Sequence, residues 1–176
     1  MRIERAAIVC TGDEVVDGII VDTDTPAIRK ILLEHYPQCS IEAIPPVRDR
    51  REAIERAMRR MVSDGMDLGI LVGGSGGGRR YDPALAVDCT HEAMRALLDQ
   101  EATRDLMGYN GHLWARCVAG RKGQTLFFNV PGPQVEAEAA ARAGICYLHQ
   151  KEAVDFEALA ETIASAVRTQ YPEGRS

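Results

Sequence analysis

The chain has 176 residues, of which 45% are hydrophobic and 27% charged, a composition typical of an ordinary globular protein. A domain of this length buries about 70% of the surface of its extended chain, so we expect a single domain over residues 1–176. Aspartate and glutamate number 26 against 21 lysine and arginine residues, giving a net charge of −5. This balance argues against a general nucleic-acid-binding protein, which needs a basic face.

The cysteines and the start of the chain indicate a reducing compartment. No two of the five cysteines form a CxxC pair, and several lie in apolar runs, so we expect buried, reduced thiols. The first residues lack the long apolar core of a signal peptide, and no run approaches the ~18 apolar residues of a membrane span. We therefore expect a cytoplasmic protein that has no membrane partner.

In the first half of the chain, short apolar runs predict strands, and apolar residues at every third or fourth position predict helices. The predicted elements are a strand at 6–10, a loop or short hairpin at 15–21, a helix at 26–36, a strand at 39–44, a helix from about 49 to 63 and a strand at 68–72. Prolines at 45–46 are expected to end the second strand. Asp22 and Pro26 resemble the cap and first turn of the first helix.

The second half of the chain gives a weaker pattern. It predicts a helix at 83–98, a short helix around 106–107, a segment at 113–118 that fits either helix or strand, a turn at 119–123, a strand at 125–130, a helix at 134–143, a last strand at 145–148 and a terminal helix at 156–171. Strands alternating with helices in this way predict an α/β domain with a mostly parallel sheet covered on both faces.

Polar turns follow several of the predicted strands. They lie at residues 11–14, 73–82 and 129–132, and Asp49 follows the second strand. Parallel α/β sheets bind ligands beyond the carboxyl ends of their strands. We therefore expect these turns to form one site.

The glycine-rich turn is the most distinctive of these segments. Residues 73–78 read GGSGGG directly after an apolar run, and backbone N–H groups in such a turn bind anions, usually phosphates. The alternative is a strand-to-helix connection without a ligand. A P-loop needs lysine and serine or threonine where Arg79 and Arg80 stand, and a dinucleotide fingerprint needs a glycine at Arg79. Both nucleotide motifs therefore fit poorly.

Four motifs occur together in a characteristic order: TGDE at 11–14, an aspartate at 49, GGSG at 73–76 and NVPG at 129–132. This set resembles the molybdopterin-binding domain family, which includes the MoaB and Mog proteins, the gephyrin G domain, MoeA and the N-terminal domain of CinA. The resemblance covers roughly residues 3–170. The segment AGRKGQTLFFNVPGP at 119–133 is most similar to the MoaB/Mog branch, whereas TGDE resembles MoeA and CinA.

The resemblance implies a three-layer α/β/α fold, molybdopterin as the ligand and a homo-oligomer, commonly a trimer. In Mog and gephyrin-type members the reaction is magnesium-dependent adenylylation of molybdopterin by ATP. Carried onto this chain, it implies that Asp49 and Asp82 are catalytic and hold magnesium or nucleotide. The cofactor-binding residues that it implies are Thr11, Gly12, Asp13, Gly73, Gly74, Ser75, Gly76, Arg116, Asn129, Pro131 and Gly132.

Two positions depart from the family pattern. Counting from Gly76, the family aspartate falls on Tyr81, with Asp82 one residue late, although YDP at 81–83 resembles the MoeA form with one inserted residue. Ala115 stands where the family has serine. Since a fold does not fix a function, three hypotheses stay open: an adenylyltransferase, a non-catalytic molybdopterin carrier and a CinA-type nucleotide pyrophosphatase. Asp49 is also placed to act only as a helix N-cap.

Overall fold

Six strands form one mixed sheet at the centre of the protein. The computed structural model describes residues 1–76, 88–108 and 111–171. The elements in this part of the chain are β1 Arg5–Thr11, α1 Asp13–Val16, α2 Asp24–His35, β2 Ser40–Val47, α3 Arg51–Ser63, β3 Leu68–Val72, α4 Thr90–Leu97, β4 Gln100–Met107, β5 Leu113–Lys122, β6 Thr125–Val130, α5 Gln134–Gln150 and α6 Phe156–Arg168. No helix in these ranges is long and apolar enough to cross a membrane.

The strand order is β2-β1-β3-β6-β5-β4. The first four strands run parallel, whereas β5 is antiparallel to β6 and β4 is antiparallel to β5. The predicted α/β fold with a mostly parallel sheet is therefore confirmed, and its antiparallel part lies at one edge. The carboxyl ends of β1, β2, β3 and β6 consequently meet at the same end of the sheet.

Helices cover both faces of the sheet, which makes the fold three-layered as expected. Side chains of a strand alternate between faces, so Ile8 belongs to the core that the sheet forms with α2, α5 and α6, while its neighbours Ala7 and Val9 belong to the core formed with α3 and α4. The central strands β1 and β3 are buried on both sides. This is why their sequences read as continuous apolar runs rather than as alternating ones.

The short helix predicted around residues 106–107 is wrong, because these residues belong to strand β4. Its register with β5 runs from Gln100 opposite Arg121 to Met107 opposite Leu113. The two buried positions of β4, Ala102 and Leu106, are four residues apart, a spacing that fits either a helix or a strand. The segment at 113–118, which fitted either helix or strand, belongs to strand β5. This strand continues to Lys122, so most of the turn predicted at 119–123 is strand as well.

Other boundaries also differ from the prediction. The strand predicted at 145–148 is wrong because α5 continues to Gln150, and its buried Ile145 and Leu148 lie on one helical face. Strand β2 runs through both prolines to Val47, which an edge strand tolerates because it has no neighbour on one side. The loop predicted at 15–21 is confirmed and its hairpin alternative is wrong, since α1 ends at Val16 and turns follow.

The helix predicted at 26–36 is confirmed as α2, which begins two residues earlier and ends one residue earlier. Further differences concern two other helix ends. Of the helix predicted at 83–98, residues 83–87 lie outside the described ranges, and the described helix α4 begins only at Thr90. The terminal helix α6 ends at Arg168, three residues before the predicted end.

Candidate functional site

The ends of the parallel strands enclose a cavity of about 130 Å³. Its described lining includes the glycines that follow three strands: Gly12 after β1, Gly73 and Gly74 after β3, and Gly132 after β6. The sequence prediction of a single site at these turns therefore matches the place where the structure has a cavity. Ligands of open α/β sheets bind at this position in general.

Two glycines after β3 adopt backbone conformations that only glycine takes readily. Gly73 has a φ of +90° and Gly74 a φ of +59°. A Cβ on Gly73 would lie 2.6 Å from the carbonyl oxygen of Thr11, and a Cβ on Gly74 would lie 2.9 Å from Asp49 Oδ1 and closer still to Thr90 Oγ1. Both conformation and space therefore require glycine, and the backbone forms the wall of the cavity.

Thr11 links this wall to neighbouring segments through hydrogen bonds. Its buried hydroxyl donates to the carbonyl of Val72 at 3.2 Å and lies 2.8 Å from the hydroxyl of Thr90. The backbone N–H of Thr90 donates to the carbonyl of Gly74 at 3.0 Å. The ends of β1 and β3 and the start of α4 are thus held together by buried hydrogen bonds.

Asp49 is the most perturbed carboxyl of the cavity. It is only 9% exposed, and its Oδ1 atom has no hydrogen-bond partner. Burial raises its pKa to about 7, and repulsion by Asp88, Asp13 and Glu14 acts in the same direction. The N-cap position of α3 is Arg50 and no side-chain bond caps this helix, so capping does not explain Asp49.

Asp24, at the start of α2, is a second carboxyl with an unpartnered oxygen in the cavity wall. Its pKa is raised to about 6. Burial is the largest cause, and repulsion from Asp22 and Glu138 acts in the same direction. The sequence analysis did not identify Asp24 as a site residue. A DxD sequence before a helix is typical of capping, and only the fold shows that both residues lie in the cavity lining.

The cavity is acidic. Its described lining has six carboxylates and no lysine, arginine or histidine; the acidic residues are Asp13, Glu14, Asp22, Asp24, Asp49 and Asp88. Arg48 lies 3.4 Å from Asp13 and 2.5 Å from Asp17, and Arg50 lies 3.7 Å from Asp13. These two arginines partly neutralise one side of the cavity from outside its lining.

The predicted site residues separate into three groups. Those that line the cavity are Thr11, Gly12, Asp13, Asp49, Gly73, Gly74 and Gly132. Those that are not part of its described lining are Ser75, Gly76, Arg116, Asn129 and Pro131. The rest, Asp82 with the neighbouring Arg79, Arg80 and Tyr81, lie outside the described residues. Ligand contacts stay predictions for every member of these groups.

Asn129 and Arg116 have structural partners. The fully buried Asn129 accepts from the backbone N–H of Val118 at 2.6 Å and donates to the carbonyl of Arg116 at 2.9 Å. The guanidinium of Arg116 donates to both carboxylate oxygens of Asp105 at 2.6 and 2.7 Å. The backbone N–H of Arg116 also donates to the carbonyl of Ser75 at 2.7 Å, which connects β5 to the glycine-rich turn.

Metal binding can be tested against the side chains present. Within residues 1–76, 88–108 and 111–171, no group of three or more histidine, cysteine, aspartate or glutamate residues is arranged to hold an ion. Asp49 nevertheless offers an unpartnered carboxylate oxygen, the kind of ligand that Mg²⁺ prefers. Since Mg²⁺ is commonly held by one or two carboxylates together with substrate phosphates, this donor fits a magnesium ion that arrives with a phosphate ligand.

Solved structures with the same fold span nearly the whole chain. MoaB from Thermus thermophilus, described as a molybdopterin biosynthesis enzyme, is 25% identical with a TM-score of 0.63, over 91% of this chain and 96% of that one. The molybdopterin biosynthesis Mog protein from Mycobacterium ulcerans is 24% identical with a TM-score of 0.61, over 90% and 99%. CinA from Thermoplasma acidophilum, of unknown function, is 19% identical with a TM-score of 0.61, over 80% and 95%.

A search of curated protein sequences finds no match. Residues 7–150 match the family model described as "Probable molybdopterin binding domain". This match includes the glycine-rich turn, Asp49 and the NVPG segment, which are the motifs on which the sequence resemblance depends. The chain therefore belongs to the molybdopterin-binding domain family.

Proposed function

We propose that this protein binds molybdopterin at the strand-end cavity and acts in molybdenum cofactor biosynthesis. Family membership supports this role, as does the similarity to MoaB, a molybdopterin biosynthesis enzyme. The observation that carries the proposal is the backbone wall at Gly73 and Gly74, where a side chain would fill the space beside Thr11 and Asp49. A site built in this way lets a ligand approach the peptide backbone closely.

The test is a calorimetric titration of the purified protein with molybdopterin. We expect saturable binding by the wild type and a loss of at least about tenfold in affinity for Gly74→Ala, because the added methyl group occupies the cavity wall. Gly123→Ala is the matched control. Gly123 has a similar φ of +58°, but a Cβ there meets no atom within 4 Å. A folded wild type that gives no heat with molybdopterin would contradict the proposal.

We further propose that the protein adenylylates molybdopterin with ATP and magnesium. The observation in favour is Asp49, a buried carboxylate with an unpartnered oxygen beside Gly74. Asp49, together with Asp82, would hold the ion, which when bound neutralises phosphate charge. The described carboxylates would position the ion and create an electric field that favours cations. Catalysis of phosphoryl transfer depends mostly on positioning and charge neutralisation of this kind.

Pyrophosphate release in the presence of molybdopterin, ATP and Mg²⁺ tests this step. We expect Asp49→Asn to lower turnover at least about a hundredfold while molybdopterin binding persists, since an amide is a poor magnesium ligand. The exposed Asp64, far along helix α3 from the site, supplies the control variant Asp64→Asn. Tight molybdopterin binding by the wild type without any pyrophosphate release would instead identify a carrier.

We also propose a cytoplasmic homo-oligomer, with a trimer favoured. This proposal depends on the resemblance to the MoaB/Mog branch. Light scattering coupled to gel filtration would give the mass of the assembly. A mass near three times that of one chain supports the trimer, and a monomer or a dimer would contradict it.

A further inference from the structure

His91, in the first turn of α4, is a buried histidine that takes no part in the chemistry proposed above. Only 4% of its surface is exposed, and its Nδ1 atom has no hydrogen-bond partner in the part of the chain that the structure describes. A buried polar atom without a partner costs free energy, so native proteins contain few of them. An apolar side chain would pack here without this cost, so packing alone does not explain the histidine.

The start of α4 is bonded directly to the glycine-rich turn. The backbone N–H of Thr90 donates to the carbonyl of Gly74 at 3.0 Å. The backbone of Gly74 also makes a hydrogen bond with the His91 ring, and this bond favours the charged form of the imidazole by raising its pKa. The ring is therefore the donor and the Gly74 carbonyl the acceptor. A carbonyl oxygen has two lone pairs, so it can accept from both residues.

These two bonds fix the direction of one peptide group of the turn. A trans peptide is planar, so the N–H of Ser75 points away from the Gly74 carbonyl and hence away from α4. Within residues 1–76, 88–108 and 111–171, no backbone carbonyl accepts from this N–H. Gly74 itself lines the cavity. Holding the Gly74 carbonyl therefore orients a free donor in the wall of the ligand site.

Arg116 holds the same turn from the other side and keeps the ring neutral. Its backbone N–H donates to the carbonyl of Ser75 at 2.7 Å, and its guanidinium donates to Asp105. Burial is the largest cause that lowers the pKa of His91, and the positive charge of Arg116 acts in the same direction. At pH 7 the ring is therefore uncharged and has one N–H donor, which the carbonyl of Gly74 accepts.

We propose that His91 is a positioning residue for the ligand site, whose neutral ring holds the Gly74 carbonyl and so orients the backbone of the glycine-rich turn before a ligand arrives. This inference rests on the proposed function, because that function makes the turn a ligand-binding wall. His91 is not part of the described lining of the cavity, so it acts through Gly74. A site oriented in advance binds more tightly because less order has to be created on binding.

Calorimetric titration of three His91 variants with molybdopterin tests the proposal. His91→Phe keeps a flat ring without a donor. The amide nitrogen of His91→Asn lies near the position of Nδ1, and that of His91→Gln near the position of Nε2, so one of these two variants can replace the donor. We expect His91→Phe to lose at least about tenfold in affinity, and one amide variant to stay within about threefold of the wild type. His149→Phe, at an exposed histidine near the end of α5, is the matched control and should bind normally.

NMR of the ring nitrogens gives a measurement that needs no variant and that a merely structural role would not affect. In the ligand-free protein at pH 7, we expect His91 to show one protonated and one bare ring nitrogen. During a molybdopterin titration these signals should shift saturably, although the ring lies outside the described lining. His35 and His149, in the last turns of α2 and α5, are internal references whose signals should stay in place.

The outcomes separate this inference from the proposed function. A wild type that gives no heat with molybdopterin contradicts the proposed function and this inference with it. A wild type that binds molybdopterin while the ring signals of His91 stay unchanged overturns only the role of His91. The same holds if a folded His91→Phe binds as tightly as the wild type, or if all three variants lose affinity equally. Circular dichroism checks the folding of each variant, and rescue by one amide variant supports the proposal.

Discussion

The hydroxyl oxygens of Thr11 and Thr90 lie 2.8 Å apart, although the two residues are 79 positions apart in the sequence. Both side chains are buried, and the pair joins the end of β1 to the first residue of α4. A Cβ added to Gly74 would collide with the same two oxygens. The geometry of the cavity wall therefore depends on a hydrogen bond between distant segments of the chain.

Thr90→Val tests the contribution of this hydrogen bond. Valine keeps the shape of threonine but removes the donor and acceptor, so we expect the free energy of unfolding to fall by about 1–2 kcal/mol. Urea denaturation followed by circular dichroism measures it. Thr169→Val, at an exposed threonine after α6, should change it by less than about 0.5 kcal/mol. Equal effects of the two substitutions would show that the buried pair adds no more to the free energy of unfolding than an exposed threonine does.

Asp49 is expected to make stability depend on pH. In the folded state the Asp49 carboxyl keeps its proton up to about pH 7, whereas in the unfolded chain it ionises near its ordinary pKa of 3.8. The folded state therefore binds more protons between these values, and its stability falls as the pH rises through this window. Asp49→Asn removes this pH dependence, because asparagine has no carboxyl group that must ionise while buried.

We expect Asp49→Asn to exceed the wild type by on the order of 2 kcal/mol in the free energy of unfolding at pH 8, and to equal it near pH 4. Urea denaturation at several pH values gives both profiles. Parallel profiles for the two proteins would mean that Asp49 ionises normally in the folded state. Gained stability with lost turnover would be typical of a site residue.

Asn129 is expected to stabilise the sheet through its side-chain amide. Asn129→Asp replaces the donor that faces the carbonyl of Arg116 with a second acceptor, so one buried pair is lost and two oxygens face each other. We expect a loss of about 2–4 kcal/mol in the free energy of unfolding. Thermal unfolding measures the change, and a melting temperature equal to that of the wild type would exclude this bridging role.

The sequence allowed the central strands to be located because they are buried on both faces. β1, β3 and β6 read as continuous apolar runs, and each ends in a turn that contains glycine or proline. Strand β4 could not be recognised in the same way. Only Ala102 and Leu106 of its eight residues are buried, and their spacing fits a helix equally well.

The candidate site could be predicted in part, for a related reason. Glycines and polar turns after strands are visible in the sequence, so the cavity wall at Gly73 and Gly74 was expected. The partners of Asn129 and the orientation of Asp24 depend on contacts between elements that are distant in the chain. Both Asp22 and Asp24 line the cavity, and no local pattern distinguishes Asp24, whose Oδ1 is buried without a partner, from Asp22, which caps a helix.

The backbone N–H signals of Gly73 and Gly74 give the most direct test of the proposed ligand site. Two-dimensional NMR of the labelled protein during a molybdopterin titration would follow them individually, with Gly123 as an internal reference outside the cavity. We predict saturable shifts of the signals of Gly73 and Gly74 while that of Gly123 stays in place. Binding of molybdopterin with shifts confined to other parts of the protein would contradict the account.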